Sequence, residues 1–151
     1  MDSAFERVLA PSTERPQAEE VQPKLNVFVV FTSIEATLAA LKTAGNLAVR
    51  LDARIMLLAP QVVPYPLPLN NPPVSLEWNK RRLRLIAGQS QVETTLHVYL
   101  CRDRWQTLES VLSAHSLVVL GGRRLWWSTP ESRLARKLRQ AGHEVILMET
   151  E

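Results

Sequence analysis

The sequence predicts a doubly wound α/β domain built on a parallel sheet of about five strands. Short apolar, β-rich runs alternate along the chain with segments of helical period. The first run, NVFVVF at 26–31, is continuously apolar after Asn26, as expected of a strand covered on both faces. Its distance from the second run leaves room for the helix of a right-handed βαβ crossover. At 151 residues the chain suffices for one complete core and is short for two.

Residues 1–24 read as a disordered or weakly ordered acidic tail. Asp2, Glu6, Glu14, Glu19 and Glu20 oppose Arg7, Arg15 and the final Lys24, and Pro11, Pro16 and Pro23 interrupt regular structure. A short helix around 4–9 is the one element the tail could hold. The α/β domain spans 25–151. After the first strand, Ile34, Leu38, Leu41, Gly45 and Ala48 recur at helical spacing, and Thr32 with Glu35 has the form of a capping box. ARIMLLA (53–59) is the second strand. PQVVPYPLPLNNPP (60–73) reads as a long loop, because proline removes backbone donors throughout it.

A basic helix follows over 75–87, ended by Gly88. Leu76, Leu83, Leu85 and Ile86 are its inward members, and Lys80, Arg81, Arg82 and Arg84 are assigned to solvent. VETTLHVYL (92–100) is the third strand. Asp103 and Gln106 cap a helix whose stripe is Trp105, Leu108, Val111 and Leu112. SLVVLGG (116–122) is the fourth strand, and RRLWW after it is a loop. The last helix starts at Ser128 or Thr129, carries Pro130 and Glu131 in its first turn and stops at Gly142. HEVILMET (143–150) is the fifth strand.

Apolar residues make up 46% and charged residues 22%, ordinary values for a globular chain. A net charge of +3 allows an acidic partner, but nucleic-acid binders gather their charge on one face, and no such binding is expected here. Cys101 is the single cysteine, and His97, His115 and His143 are scattered, so neither a disulfide nor a zinc site is expected. A reducing cytoplasm fits this usage. The first residues lack a signal-peptide pattern, and no apolar run approaches the roughly 20 residues a membrane span needs.

In doubly wound sheets, ligands bind outside the carboxyl ends of the strands. Thr32 and Ser33, the proline loop, 101–104 and 121–129 all reach that rim. Gly121 and Gly122 would let the backbone approach a ligand or take a positive φ. Arg123 and Arg124 add charge, and Ser128 and Thr129 precede a helix whose amides favour anions. Arg102 and Arg104 leave the adjacent strand toward the same rim. Together these residues could hold a phosphate or carboxylate. The simpler reading beside it is that the glycines make a turn, Ser128 and Thr129 cap, and the arginines are solvated. Likewise, Thr32 and Ser33 are explained by capping, Asp103 by capping, and Cys101 by packing. One of Trp126 and Trp127 should cover the site or an interface. The first turn, FTSIEA, lacks the G-x-G-x-x-G of dinucleotide sites, and no Walker-type phosphate loop occurs. No acid–base pair or activated nucleophile is apparent, so the chain reads as a binding domain rather than an enzyme.

The segment NVFVVFTSIEATLAALKTAGNLAVRLDARIMLLAPQVVP resembles the opening of a universal stress protein. SLVVLGGRRLWWSTPESRLARKLRQAGHEVILME resembles that family's fourth strand, glycine loop, last helix and fifth strand. The resemblance covers residues 25–149 in order and element length. It implies the adenine nucleotide alpha hydrolase-like arrangement with strand order 3-2-1-4-5. It also implies a regulatory role in stress response, a homodimer joined through the last strand, and ATP or another nucleotide as ligand. The sequence departs from the ATP-binding pattern at three places. Thr32 stands where an acidic residue is usual, Arg124 replaces the second glycine of G-x-x-G, and Glu131–Ser132 falls where glycine and serine are expected. Those departures point away from the family's usual ATP geometry: Glu131 would repel a phosphate if it pointed inward, while Arg124 could supply charge for some other small anion in place of a backbone cradle.

Overall fold

The computed structural model describes residues 7–9, 25–125 and 127–150. The strands are β1 (Arg7–Leu9), β2 (Leu25–Val30), β3 (Ala53–Val62), β4 (Thr94–Cys101), β5 (Leu117–Arg123) and β6 (Glu144–Thr150). The helices are α1 (Ile34–Leu51), α2 (Leu76–Ala87), α3 (Arg104–Val111) and α4 (Pro130–Gln140). The sheet order is β1-β4-β3-β2-β5-β6. Strands β4, β3, β2, β5 and β6 are mutually parallel, and in chain order they read 3-2-1-4-5, as the resemblance implied.

The sheet carries a core on each face. Ala40, Leu41 and Ala44 of α1 pack with Leu83 and Ile86 of α2 over Val27, Val29, Ile55 and Leu57. Leu108 near the end of α3 and Leu134 and Leu138 of α4 pack over Phe28, Val30, Val118 and Leu120. Alternate residues of each strand serve opposite cores, which is why the runs are continuously apolar. The buried face of α1 is rich in alanine, at Ala36, Ala40, Ala44 and Ala48. Its small side chains bring the helix backbone close to the sheet. Ile34 and Leu38, expected inside, are 40% and 37% exposed, so the buried stripe is rotated toward the alanines.

Four further expectations are corrected. Arg7–Leu9 form a strand antiparallel to β4, with Arg7 opposite Tyr99 and Leu9 opposite His97, where the expectation is a disordered or weakly ordered tail holding at most a short helix around 4–9. The rest of the predicted tail lies outside the described residues. Second, Pro60, Gln61 and Val62 belong to β3, pairing with Tyr99, Leu100 and Cys101. The pairing of β3 with β2 ends at Leu58 opposite Val30. Pro60 therefore sits where β3 has become a local edge, and its missing donor is not needed on the open side. Third, Gly121 and Gly122 belong to the strand as expected, but β5 runs on to Arg123, so the double glycine neither ends it nor makes a turn. Fourth, Leu85, expected inward, is 71% exposed.

Candidate functional site

The carboxyl ends of β2 and β5 meet at the rim. Thr32 Oγ1 donates to the Gly121 carbonyl at 2.8 Å across 89 residues of sequence. The Thr32 amide donates to Thr37 Oγ1 at 3.1 Å. Thr32 thus ties strand to strand, and the cap of α1 falls to Ser33, whose Oγ accepts from the Ala36 amide at 3.2 Å. The capping box expected from Thr32 and Glu35 is not formed.

The two glycines are required by packing. A Cβ on Gly121 would lie 2.2 Å from the Ala36 carbonyl oxygen, and one on Gly122 would lie 2.8 Å from the Glu131 Cβ. Among the glycines only Gly142, at φ 99°, has a positive φ, where it stops α4. The close approach at the double glycine is therefore to helices α1 and α4. Thr129 is buried as the cap of α4 in a reciprocal pair with Ser132, at 3.1 and 3.0 Å. The Ser128 hydroxyl lies 3.4 Å from the Ser132 hydroxyl, and the Ser128 carbonyl accepts from Arg133.

Thr32, Ser33, Gly121, Gly122, Arg123 and Thr129 share one cavity, with Trp127 on its wall. Trp127 is itself largely exposed, and Trp126 lies outside the described residues. This cavity holds about 170 Å³, below the roughly 300–1,000 Å³ of small-molecule pockets. A larger one of about 720 Å³ opens beside it, sharing Thr32, Ser33 and Arg123 and adding Phe31, Glu35 and Arg82. A third, of about 450 Å³, lies under α2 and shares Phe31 and Arg82. Its walls include Ala59, Val62, Val74 and Trp78.

The remaining predicted residues stand elsewhere. Arg124 pairs with Glu149 of β6 at 3.4 Å. Arg102 Nη1 donates to the Val63 and Leu67 carbonyls at 3.0 and 2.8 Å, and its guanidinium lies 4.1 Å from the Tyr65 ring centroid. It holds the proline loop and lines none of the three cavities. Arg104 opens α3 and lines none of them either.

Charge at the larger cavity is mixed. Arg82, Arg123 and the first amides of the 18-residue α1 favour an anion, and Glu35 opposes it. Arg82 is the residue that the sequence reading missed, having been assigned to a solvated helix face. Its spacing from Trp78, four residues on one helix, is the signal that could have found it.

Other reactive groups are occupied structurally. Cys101 is buried, and that burial pushes its thiol above the ordinary value. Asp103 caps α3, accepting from the Trp105 amide at 3.1 Å. His143 Nδ1 accepts from the Ser116 amide at 3.1 Å, and His97 is buried in β4 against Tyr99. Among the described residues no group of three or more His, Cys, Asp or Glu could hold a metal ion. No described helix is long and apolar enough to cross a membrane.

Among solved structures the chain is similar to a universal stress protein from Archaeoglobus fulgidus. The two are 14% identical, with a TM-score of 0.60 over 84% of this chain and 95% of that one. The fold is that of a universal stress protein. A universal stress protein in complex with cAMP is also similar, at 19% identity and a TM-score of 0.45 over 86% of this chain and 100% of that one. No protein-family profile and no curated protein matches the chain. The universal-stress-protein fold accounts for where the cavities lie, since strand order reverses between β2 and β5 and leaves a crevice at their carboxyl ends.

Proposed function

We propose that this chain is a non-catalytic regulatory domain that binds a small anionic ligand, a nucleotide or another phosphorylated molecule, at the rim between β2 and β5. The observation that carries the reading is the cavity of about 720 Å³ where Arg82, Arg123 and the amino end of α1 converge. The 170 Å³ cavity at the double glycine is too small for a nucleotide and serves as a side recess. The regulatory reading is supported by the fold, and the non-catalytic one by the structural use already made of Cys101, Asp103 and His143. ATP held in the family's usual manner is not part of the proposal, because Arg124 is paired to β6 and Glu131 packs on Gly122.

The proposal includes pairing of two copies along β6. Among the described residues that strand is bonded to β5 on one side only, and Ile146, Leu147 and Met148 are half-buried within the single chain. A second copy would cover the open edge. The binding reading is tested by a thermal-shift panel of nucleotides and phosphorylated metabolites. A true ligand at 100 times its dissociation constant should stabilise the fold by about 2.7 kcal/mol. A panel in which no member shifts the transition would overturn it.

A further inference from the structure

Arg82 is half-buried on a helix face that the sequence assigns to solvent. Its guanidinium lies 5.0 Å from the Trp78 ring centroid and 5.7 Å from that of Phe31, so two aromatic rings replace part of its hydration. A run of side-chain bonds leads away from it. Arg82 Nη2 donates to Asn79 Oδ1 at 3.1 Å, Asn79 Nδ2 to Gln61 Oε1 at 2.8 Å, and Gln61 Nε2 to the Val74 carbonyl at 2.9 Å. Arg82 Nε, by contrast, is buried and has no hydrogen-bond partner among the described residues. A buried cationic donor left unpaired is costly. The same side chain is a wall of both larger cavities.

We propose that Arg82 is the gate and anion-reading residue of this site. This rests on the rim-binding reading and adds to it the residue that selects the ligand. An anionic group entering beside α1 draws the guanidinium out from between Phe31 and Trp78 and satisfies Nε–H. The two cavities that Arg82 separates then join. An apolar part of the same ligand seats against Ala59, Val74 and Trp78, so the ligand class is an anionic group joined to an apolar body. Moving Arg82 also releases Asn79 from one of its bonds, which couples occupancy to the end of the proline loop through Gln61 and Val74.

The test is calorimetric titration of the full chain with sodium pyrophosphate, an anion alone, and 1-naphthyl phosphate, an anion with an apolar body. Wild type should bind naphthyl phosphate at least tenfold more tightly than pyrophosphate. Arg82→Gln should weaken both at least tenfold, whereas Arg124→Gln, whose arginine pairs with Glu149, should stay within twofold of wild type. Binding by wild type that Arg82→Gln retains within twofold overturns the gate and leaves the rim-binding reading standing. Failure of wild type to bind either probe overturns both. Should Arg82→Gln not fold, tryptophan emission decides. Pyrophosphate should change the emission of wild type and not that of Trp78→Phe, and equal changes in the two would overturn the gate.

Discussion

Gly121 shows how a single residue can carry two different demands. Its carbonyl accepts from Thr32, closing the rim between β2 and β5, and its missing side chain admits the backbone of α1. A Cβ there would meet a carbonyl oxygen at 2.2 Å, and backbone cannot give way as the end of a flexible side chain can. Gly121→Ala is therefore expected to cost about 3 kcal/mol, the upper end of overpacking penalties. Gly122→Ala faces the side chain of Glu131 near the start of α4 and should cost less. Urea denaturation of the two variants checks the order, and equal losses would show that α1 does not press on β5 as described. The sequence marks both positions as special, and the structure adds a reason it does not show, the close approach of two helices.

At the scale of elements, the proline loop after β3 is held from outside itself. Within it, the Leu67 amide donates to the Pro64 carbonyl and the Asn71 amide to the Pro68 carbonyl, both at 3.0 Å. Arg102 supplies the tie to the sheet through the Val63 and Leu67 carbonyls. Arg102→Ala should loosen this loop locally. Hydrogen exchange at the Leu67 and Asn71 amides is expected to accelerate at least tenfold, while the amides of β4 keep their protection. Unchanged exchange at Leu67 would remove Arg102 from this role. The helix caps were more legible from sequence than the loop, because Asp103 and Thr129 act on amides two and three residues away. Arg102 acts on carbonyls 35 and 39 residues distant, and no local pattern reports such a partner.

Across the whole molecule, the two edges of the sheet differ. The β4 edge is covered by the short antiparallel β1, whereas β6 is paired with β5 and, among the described residues, has no strand on its other side. The proposed pairing along β6 predicts a species of twice the 17.1 kDa chain mass in sedimentation velocity at micromolar concentration. A single 17.1 kDa species would overturn it. Binding at the rim does not depend on that result, since Phe31, Thr32, Arg82 and Arg123 all belong to one chain.

The sequence by itself determined the alternation of strands and helices, the burial of the central strands on both faces and the helix ends. These follow from local periodicity and capping, which act within a few residues. It also brought Thr32 and Gly121 to a common rim, because parallel crossovers of one hand leave little choice of which strand ends converge. Only the tertiary structure decided that Arg82 stands between Phe31 and Trp78, that Arg102 belongs to the proline loop, and that the double glycine serves helix packing. Each of those depends on distances between elements, and the direction of a long cationic side chain is set by whichever ring, carbonyl or carboxylate the fold happens to bring within its reach.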